Sequence, residues 1–288
     1  MTINFYKVTI FKLINMVSEL YETELRTVIN LLKTVGEEIL FPHYGKATGV
    51  QRKSDGTLSC DQDRIASARI REVLKKEFPE YGMVEEESGI DQRAEDGFCW
   101  TIDPLDSTRG YINQEGINNL DYASVVGLFQ GYQPVMGLMF KPHKQELVWA
   151  VQGRGAFREY DHGPEKLQVS DSADLKMVVS VHRRSEALDE VIRRLNIDPS
   201  WVMLVGGSTK FVEIAKGTAT VGYQPPENTM SIWDIAPIEV IVTEAGGMFT
   251  DAQGRTMDYT QTETVHRGGV IATNSRENHD LILRVMPS

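Results

Sequence analysis

Cysteine is nearly absent. Two residues in 288, Cys60 and Cys99, exclude a disulfide scaffold and point to a reducing, cytoplasmic setting. No apolar run reaches the roughly 18 residues of a membrane span. The N-terminal stretch MTINFYKVTIFKLINM is interrupted by Asn4, Lys7, Lys12 and Asn15 and is followed by no small-residue cleavage site. Residues 1–16 therefore read as a leader of uncertain structure, with Met16 an alternative start. Positive charge is in deficit as well, at 30 Lys and Arg against 41 Asp and Glu, a net −11. That balance argues against a nucleic acid polymer or an anionic membrane as partner. The phosphate-loop pattern GxxxxGK, the dinucleotide pattern GxGxxG, the nucleophile elbow GxSxG and the zinc pattern HExxH are all missing, and the six histidines form no close metal-binding pair. What remains is an ordinary globular composition, 41% hydrophobic and 25% charged, in a chain long enough for one large domain or two modest ones.

The most informative stretch is WTIDPLDSTRGYI, Trp100 to Ile112. Phe98, Trp100 and Ile102 alternate with Cys99, Thr101 and Asp103, which is strand periodicity. Pro104 is expected to end that strand and fix a tight turn. Asp103 and Asp106 then project to one side, and Ser107 or Thr108 caps a following helix. Two carboxylates beside a helix start make a candidate cation and phosphate site.

Around this stretch the pattern alternates. Leu20, Leu25, Val28, Ile29, Leu32, Val35 and Ile39 predict an amphipathic helix from Val17 to Leu40, ending before Pro42. Ile65, Ile70, Val73, Leu74 and Phe78 predict a second helix, with Asp61 at its start as either a cap or a functional acid. Glu85, Glu86 and Glu87 follow a short strand at Gly82 to Val84 and read as a solvated loop or as further carboxylates for the site. Strands are expected at Tyr122 to Phe129, Gln133 to Phe140 and Glu146 to Val151. Gly153, Gly155 and Gly163 mark a loop taken as the boundary between sub-domains 17–155 and 156–288. Beyond it, strands near Leu167 to Val169, Met177 to Val181, Val202 to Val205 and Ala219 to Tyr223 alternate with helices at Glu186 to Leu195 and Thr209 to Lys216. This order predicts an α/β class with helix-covered sheets. A further helix opens near Asp234, again a cap or a ligand, and ends at Gly246-Gly247. A last strand and helix run from Gly269 to Met286. The nearest calcium-loop rival, DQRAEDG from Asp91, places Gly97 one position too late.

Glu86-Glu87-Ser88, then Asp103-Pro104-Leu105-Asp106-Ser107-Thr108, then Trp233-Asp234 with Glu244-Ala245-Gly246-Gly247, resemble the three signatures of the inositol monophosphatase family. The resemblance runs in order from about Val17 to the C-terminus. It implies a layered αβαβα sandwich of the inositol monophosphatase and fructose-bisphosphatase type. It also implies Mg²⁺-dependent, often lithium-sensitive phosphomonoesterase activity with two or three ions, and a homodimer is plausible. Carried over by position, it assigns Glu86, Asp103, the Leu105 carbonyl, Asp106 and Asp234 as metal ligands. Thr108, with Glu86 or Asp61, would orient the attacking water, and Ser107 and Thr108 would bind phosphate. Acids of one sign converge this way only if divalent cations compensate them. Ser107 stands where the family usually has glycine, which bears on the loop conformation.

Substrate contacts are expected from Glu227, His182, Lys210 and Arg109, each of which also reads as ordinary surface polarity. A small phosphate ester resembling inositol monophosphate is the expected substrate. A 3'(2'),5'-bisphosphate nucleotide and histidinol phosphate are the alternatives, since Arg109 resembles those branches. A non-catalytic sensor of metal and phosphate esters is the rival of another class. Cys60 and Cys99 neighbour Asp61 and Asp103 in sequence and form either a redox-sensitive pair or two inert buried thiols.

Overall fold

Leu25, Val28, Leu32 and Val35 fall on one buried stripe of the first helix, α1 (Glu22–Val35). The helix continues through a wider turn at Gly36–Leu40 and a 3₁₀ turn at Phe41–His43 that contains Pro42. A side chain at Gly36 would collide with the Phe140 ring at 2.5 Å, so glycine lets this turn pass close to the sheet below it. The protein is described by a computed structural model covering residues 21–53, 56–91, 96–113, 122–160, 163–182 and 185–286. The leader expected over 1–16 lies outside the described residues, as do positions 17–20 of the first helix.

The chain then forms a small ribbon, β1 (Gln51–Arg52) with β2 (Leu58–Ser59), and a second helix, α2 (Asp61–Glu77). Next come β3 (Gly82–Glu85), β4 (Gly89–Asp91), β5 (Phe98–Asp106), the short α3 (Thr108–Asn113), β6 (Ala123–Gln130), β7 (Gln133–Lys141), β8 (Glu146–Val151), β9 (Gly155–Tyr160) and β10 (Gly163–Leu167). The strands from β3 on form one sheet in the order β10-β9-β8-β7-β6-β5-β3-β4. It is antiparallel except where β3 runs parallel to β5. The sheet continues beyond position 155 to Leu167, through a region whose glycines predict a loop. Arg158, Glu159, Glu165 and Lys166 give β9 and the edge strand β10 no apolar alternation, which hides them from periodicity.

The second half supplies β11 (Met177–Ser180), α4 (Glu186–Arg194), β12 (Val202–Val205), α5 (Val212–Ala215), β13 (Val221–Gln224), β14 (Met230–Ser231), α6 (Ile232–Glu244), β15 (Met248–Thr250), β16 (Val265–His266), β17 (Val270–Thr273) and α7 (Arg276–Val285). Five of these strands form a sheet in the order β12-β11-β13-β17-β15, and β14 pairs with β16 as a separate ribbon. The helix expected over Thr209 to Lys216 begins instead as a 3₁₀ turn, Ser208–Phe211, before α5.

Three apolar clusters order these elements into five layers. One packs α1 and α2 against the first sheet through Trp100, Ile102, Leu128 and Leu138. A second lies between the sheets and is built on Ile235, Ile238, Ile241 and Val242 of α6. The third covers the outer face of the second sheet with α4 and α7 through Leu188, Val191 and Ile282. The result is the αβαβα sandwich expected from the sequence. The central helix approaches the first sheet closely because Gly127 and Gly137 pair in register, and a side chain at Gly137 would run into the Pro237 backbone. Cys99 belongs to the middle cluster and Cys60 to the α1–α2 cluster, on opposite faces of the first sheet. Neither thiol is in a disulfide, both are buried, and burial pushes that of Cys60 up to about 12, which favours the alternative of two inert thiols.

Glu239, on the half-buried side of α6, accepts a hydrogen bond from the Tyr259 hydroxyl. Burial pushes its carboxyl up to about 7, against the lowering effect of that bond. Between 4.5 and about 7 the native chain holds a proton that the unfolded chain has lost, so stability falls as pH rises through that window. Glu239→Gln keeps an acceptor for Tyr259 and removes the charge. Its gain in Tm over the parent is expected to be larger at about pH 8 than at about pH 5. A gain independent of pH in thermal melts would refute the assignment.

Candidate active site

Pro104 does not end β5. The strand continues to Asp106 with its register shifted between Asp103 and Asp106, so the proline occupies the irregular step, where no ladder donor is needed. Leu105 N–H donates to Asp103 Oδ1 at 3.0 Å, and Ser124 Oγ donates to the Pro104 carbonyl at 2.7 Å. This bulge turns Asp103 and Asp106 toward one point. Parallel pairing of β3 with β5 brings up Glu86, whose N–H donates to the Ile102 carbonyl at 3.2 Å.

Asp234 arrives from the second half at the start of α6. Its Oδ2 accepts the Ser231 N–H at 2.7 Å in a reciprocal capping box. The capping alternative therefore holds for one oxygen, and the same carboxylate also faces the cluster. Ligand oxygens of Asp103, Asp106 and Asp234 lie within 4.8 Å of one another. Asp106 also joins the two halves, its Oδ2 accepting the Ser208 N–H at 2.8 Å and the Ser208 hydroxyl at 2.9 Å. Gly207, at φ 66°, makes this approach possible, since a Cβ there would overlap the Asp106 carboxylate.

The cluster is electrostatically undercompensated. Burial raises the Asp103 carboxyl well above the ordinary carboxylate range, and Glu86, Asp106 and Asp234 raise it further. Burial also pushes Glu86 up to about 7, although Lys53 Nζ donates to it at 2.7 Å and to Glu87 at 2.6 Å. One ammonium cannot balance this many carboxylates. The donors are all hard oxygens with no His or Cys among them, the set that suits a divalent cation such as Mg²⁺.

These carboxylates line a cavity of about 640 Å³ between the two halves. Every site residue expected from the sequence lines it except Asp61 and Glu227. Asp61 is turned away at the outer edge of α2, where it accepts the Thr48 hydroxyl at 2.6 Å and pairs with Arg64. Asp63, two residues on, is fully buried and takes the position expected for Asp61. Its Oδ2 accepts the Cys60 N–H at 2.6 Å, and its Oδ1 accepts the Thr108 hydroxyl at 3.1 Å. Burial lifts its carboxyl, against the bonds from Cys60 and Thr108. A signal was present: Asp63, Ser67, Ile70 and Leu74 share one helix face, whereas Ile65, expected in the core, is 52% exposed. Lys53 gave no signal, because it precedes a turn and reaches the acids only through the fold.

Ser107 adopts φ 71°, in the region that glycine enters freely, and its Oγ is buried without a hydrogen-bond partner. Ser107→Gly removes both costs and is expected to raise stability by about 1 kcal/mol. Tm measured with and without Mg²⁺ checks this, and a lower Tm in both conditions would contradict it.

A five-layer sandwich with an all-oxygen carboxylate site at the seam of its halves defines a metal-dependent hydrolase of phosphoric monoesters. The chain belongs to the inositol monophosphatase family, whose sequence model matches residues 21–288. A histidinol-phosphatase of Mycobacterium tuberculosis is 28% identical over 242 residues, covering 82% of this chain and 87% of that protein. A fructose-1,6-bisphosphatase/inositol-1-monophosphatase of Aquifex aeolicus is 30% identical over 230 residues, covering 77% and 84%. The Thermotoga maritima IMPase structure superposes with a TM-score of 0.76 at 23% identity, over 91% of this chain and 96% of that one, and shares the fold.

Proposed function

We propose that the protein is a Mg²⁺-dependent phosphomonoesterase that hydrolyses a small phosphorylated metabolite, with inositol monophosphate the first candidate. The observation that carries this reading is the convergence of Asp103, Asp106 and Asp234 on one point beside Glu86. Together with the Leu105 carbonyl these residues would hold two or three ions. Bound there, Mg²⁺ supplies charge neutralisation for the phosphate and acidity for an attacking water. The chain's own groups do the rest. Thr108 Oγ1, with its proton toward Asp63, presents a lone pair that orients the water, and Asp63 accepts the proton released. The N–H groups of Ser107 and Thr108 hold phosphate oxygens at the start of α3. Lys53 keeps Glu86 and Glu87 oriented between turnovers.

A phosphate-release panel tests the proposal. It compares inositol 1-phosphate, histidinol phosphate, adenosine 3',5'-bisphosphate and fructose 1,6-bisphosphate with Mg²⁺, with EDTA, and with Mg²⁺ plus Li⁺. Release that requires Mg²⁺ and falls with Li⁺ is expected. Absence of release from every substrate would favour the non-catalytic sensor.

A further inference from the structure

We infer that Ser208 is a positioning residue: it holds Asp106 so that a single carboxylate oxygen faces the candidate metal site, and it thereby makes affinity for a divalent cation depend on the docking of the two halves. This role rests on the metal-dependent reading of the site and adds a control that lies outside the ligands themselves.

The carboxylates of the site are not held alike. Asp103 Oδ1 takes the Leu105 N–H of its own strand, Glu86 is held by Lys53 of the same half, and Asp234 accepts the Ser231 N–H at its own helix start. Asp106, 7% exposed at the end of β5, is different. Among the described residues, every hydrogen bond to its side chain comes from the other half: the Ser208 N–H at 2.8 Å, the Ser208 hydroxyl at 2.9 Å and the Thr209 N–H at 3.3 Å. All of them reach Oδ2. A carboxylate oxygen offers about two lone-pair sites, so Oδ2 is filled and Oδ1 is left for a cation. Without these donors the side chain is free to change rotamer, and the ion would have to order it at an entropic cost. That cost matters for a small cation that demands near-octahedral geometry.

The donors sit on a segment fixed at both ends. Gly207 brings the turn against the carboxylate, and the turn is closed by Thr209 Oγ1 donating to the Gly206 carbonyl at 3.2 Å and Lys210 Nζ donating to the Gly207 carbonyl at 3.1 Å. Past α5, Lys216 Nζ lies 3.0 Å from Glu146 of β8 and 3.0 Å from Glu213, and the Lys216 and Glu146 side chains are 13% and 4% exposed. Separating so buried a pair is costly, which keeps this end seated on the first sheet. Residues 206–216 thus bridge the halves at two places, and one of them is a metal ligand. Linkage makes the relation reciprocal: docking raises cation affinity by the factor by which the cation favours docking. The backbone donors are available to any residue at these positions, whereas the hydroxyl, a charge-assisted donor, belongs to Ser208 alone.

Mn²⁺ suits the same oxygen donors, and its binding without substrate, followed by the electron paramagnetic resonance of the free ion, tests the inference. Ser208→Ala is expected to weaken binding about tenfold, and Ser208→Thr, which restores a hydroxyl, to recover most of the loss. With p-nitrophenyl phosphate, the Mg²⁺ concentration for half-maximal rate should rise about tenfold in Ser208→Ala, while kcat at saturating Mg²⁺ and KM stay within about threefold. A double-mutant cycle separates positioning from packing: in an Asp106→Ala background, adding Ser208→Ala should change Mn²⁺ affinity by less than about twofold. In the parent, saturating Mg²⁺ should slow amide exchange at Ser208 and Thr209 about tenfold or more and leave the outer helix α4 unchanged. The cycle and the exchange decide the matter if the added methyl of Ser208→Thr lowers its Tm. Unchanged Mn²⁺ affinity in Ser208→Ala, an equal loss in the Asp106→Ala background, or exchange at Ser208 and Thr209 that ignores the ion would overturn the inference. If these dependences hold and no ester releases phosphate, the phosphatase reading fails and the positioning role stands. A parent that binds no divalent cation refutes both.

Discussion

Asp103→Asn is expected to lower Mg²⁺-dependent phosphate release about 1000-fold or more, while the metal-free variant melts no lower than the metal-free parent. The two effects have one cause. Asp103 is 2% exposed at the centre of a carboxylate cluster, and both burial and its neighbours raise its carboxyl. Asparagine preserves the shape and the acceptor for the Leu105 N–H while removing one of the repelling charges. Because the folded value lies above the unfolded one, ionising Asp103 costs the metal-free native state stability. That cost begins as pH rises past 3.8 and is complete only above the raised value. The Tm difference in EDTA should therefore favour the variant more at about pH 8 than at about pH 5. Saturating Mg²⁺ should reverse the order, because a cation that binds the native state stabilises the parent more. Unchanged turnover would remove Asp103 from the site. A variant that unfolds in EDTA would mean the carboxylate has a structural role the cluster geometry does not account for.

Legibility in the sequence followed local regularity. The α1 stripe was readable because its apolar period matches the helix, and the β6–β7–β8 meander and α6 because near-continuous apolar runs there are bounded by turn residues. The layered α/β class followed from the order of these elements. Strand β9 and the edge strand β10 were unreadable because charged residues occupy their solvent-facing positions, and β4 is only three residues long. The continuation of β5 past Pro104 depends on a register shift against β6, a tertiary fact invisible to a single strand. Within the site, Asp103, Asp106 and Asp234 were identified by their motif setting, and the fold brought them together as expected. Lys53 could not be identified, because its partners Glu86 and Glu87 are 33 and 34 residues away. Glu244 acquired a role its motif did not announce: it accepts the N–H groups of Gly153 and Gly155, each at 2.8 Å, and so ties α6 to the β8–β9 turn.

The sharpest division between sequence and structure falls on two acids in one helical turn. Asp63→Asn is expected to lower kcat by about 100-fold or more, and Asp61→Asn to leave it within about twofold. Asp61 faces Thr48 and Arg64 on the rim of α2, where the hydrogen bond from Thr48, aided by Arg64, holds its carboxyl below the usual range. Asp63 points inward at Thr108, whose hydroxyl also donates to the Leu105 carbonyl at 3.0 Å. A single proton cannot serve Asp63 and Leu105 at full strength, so whatever draws the Leu105 carbonyl toward a cation frees the hydroxyl for Asp63. The Asn variant keeps an oxygen for the Cys60 N–H cap and should fold, so the loss reads out proton transfer. The pH profile distinguishes this from a packing defect. Burial raises the Asp63 carboxyl, so parent kcat should fall as pH drops through that raised value, and the Asn variant should lose that limb. A uniform loss at all pH values would assign Asp63 to positioning Thr108 alone, and an inactive Asp61→Asn would return the base to the rim of the helix.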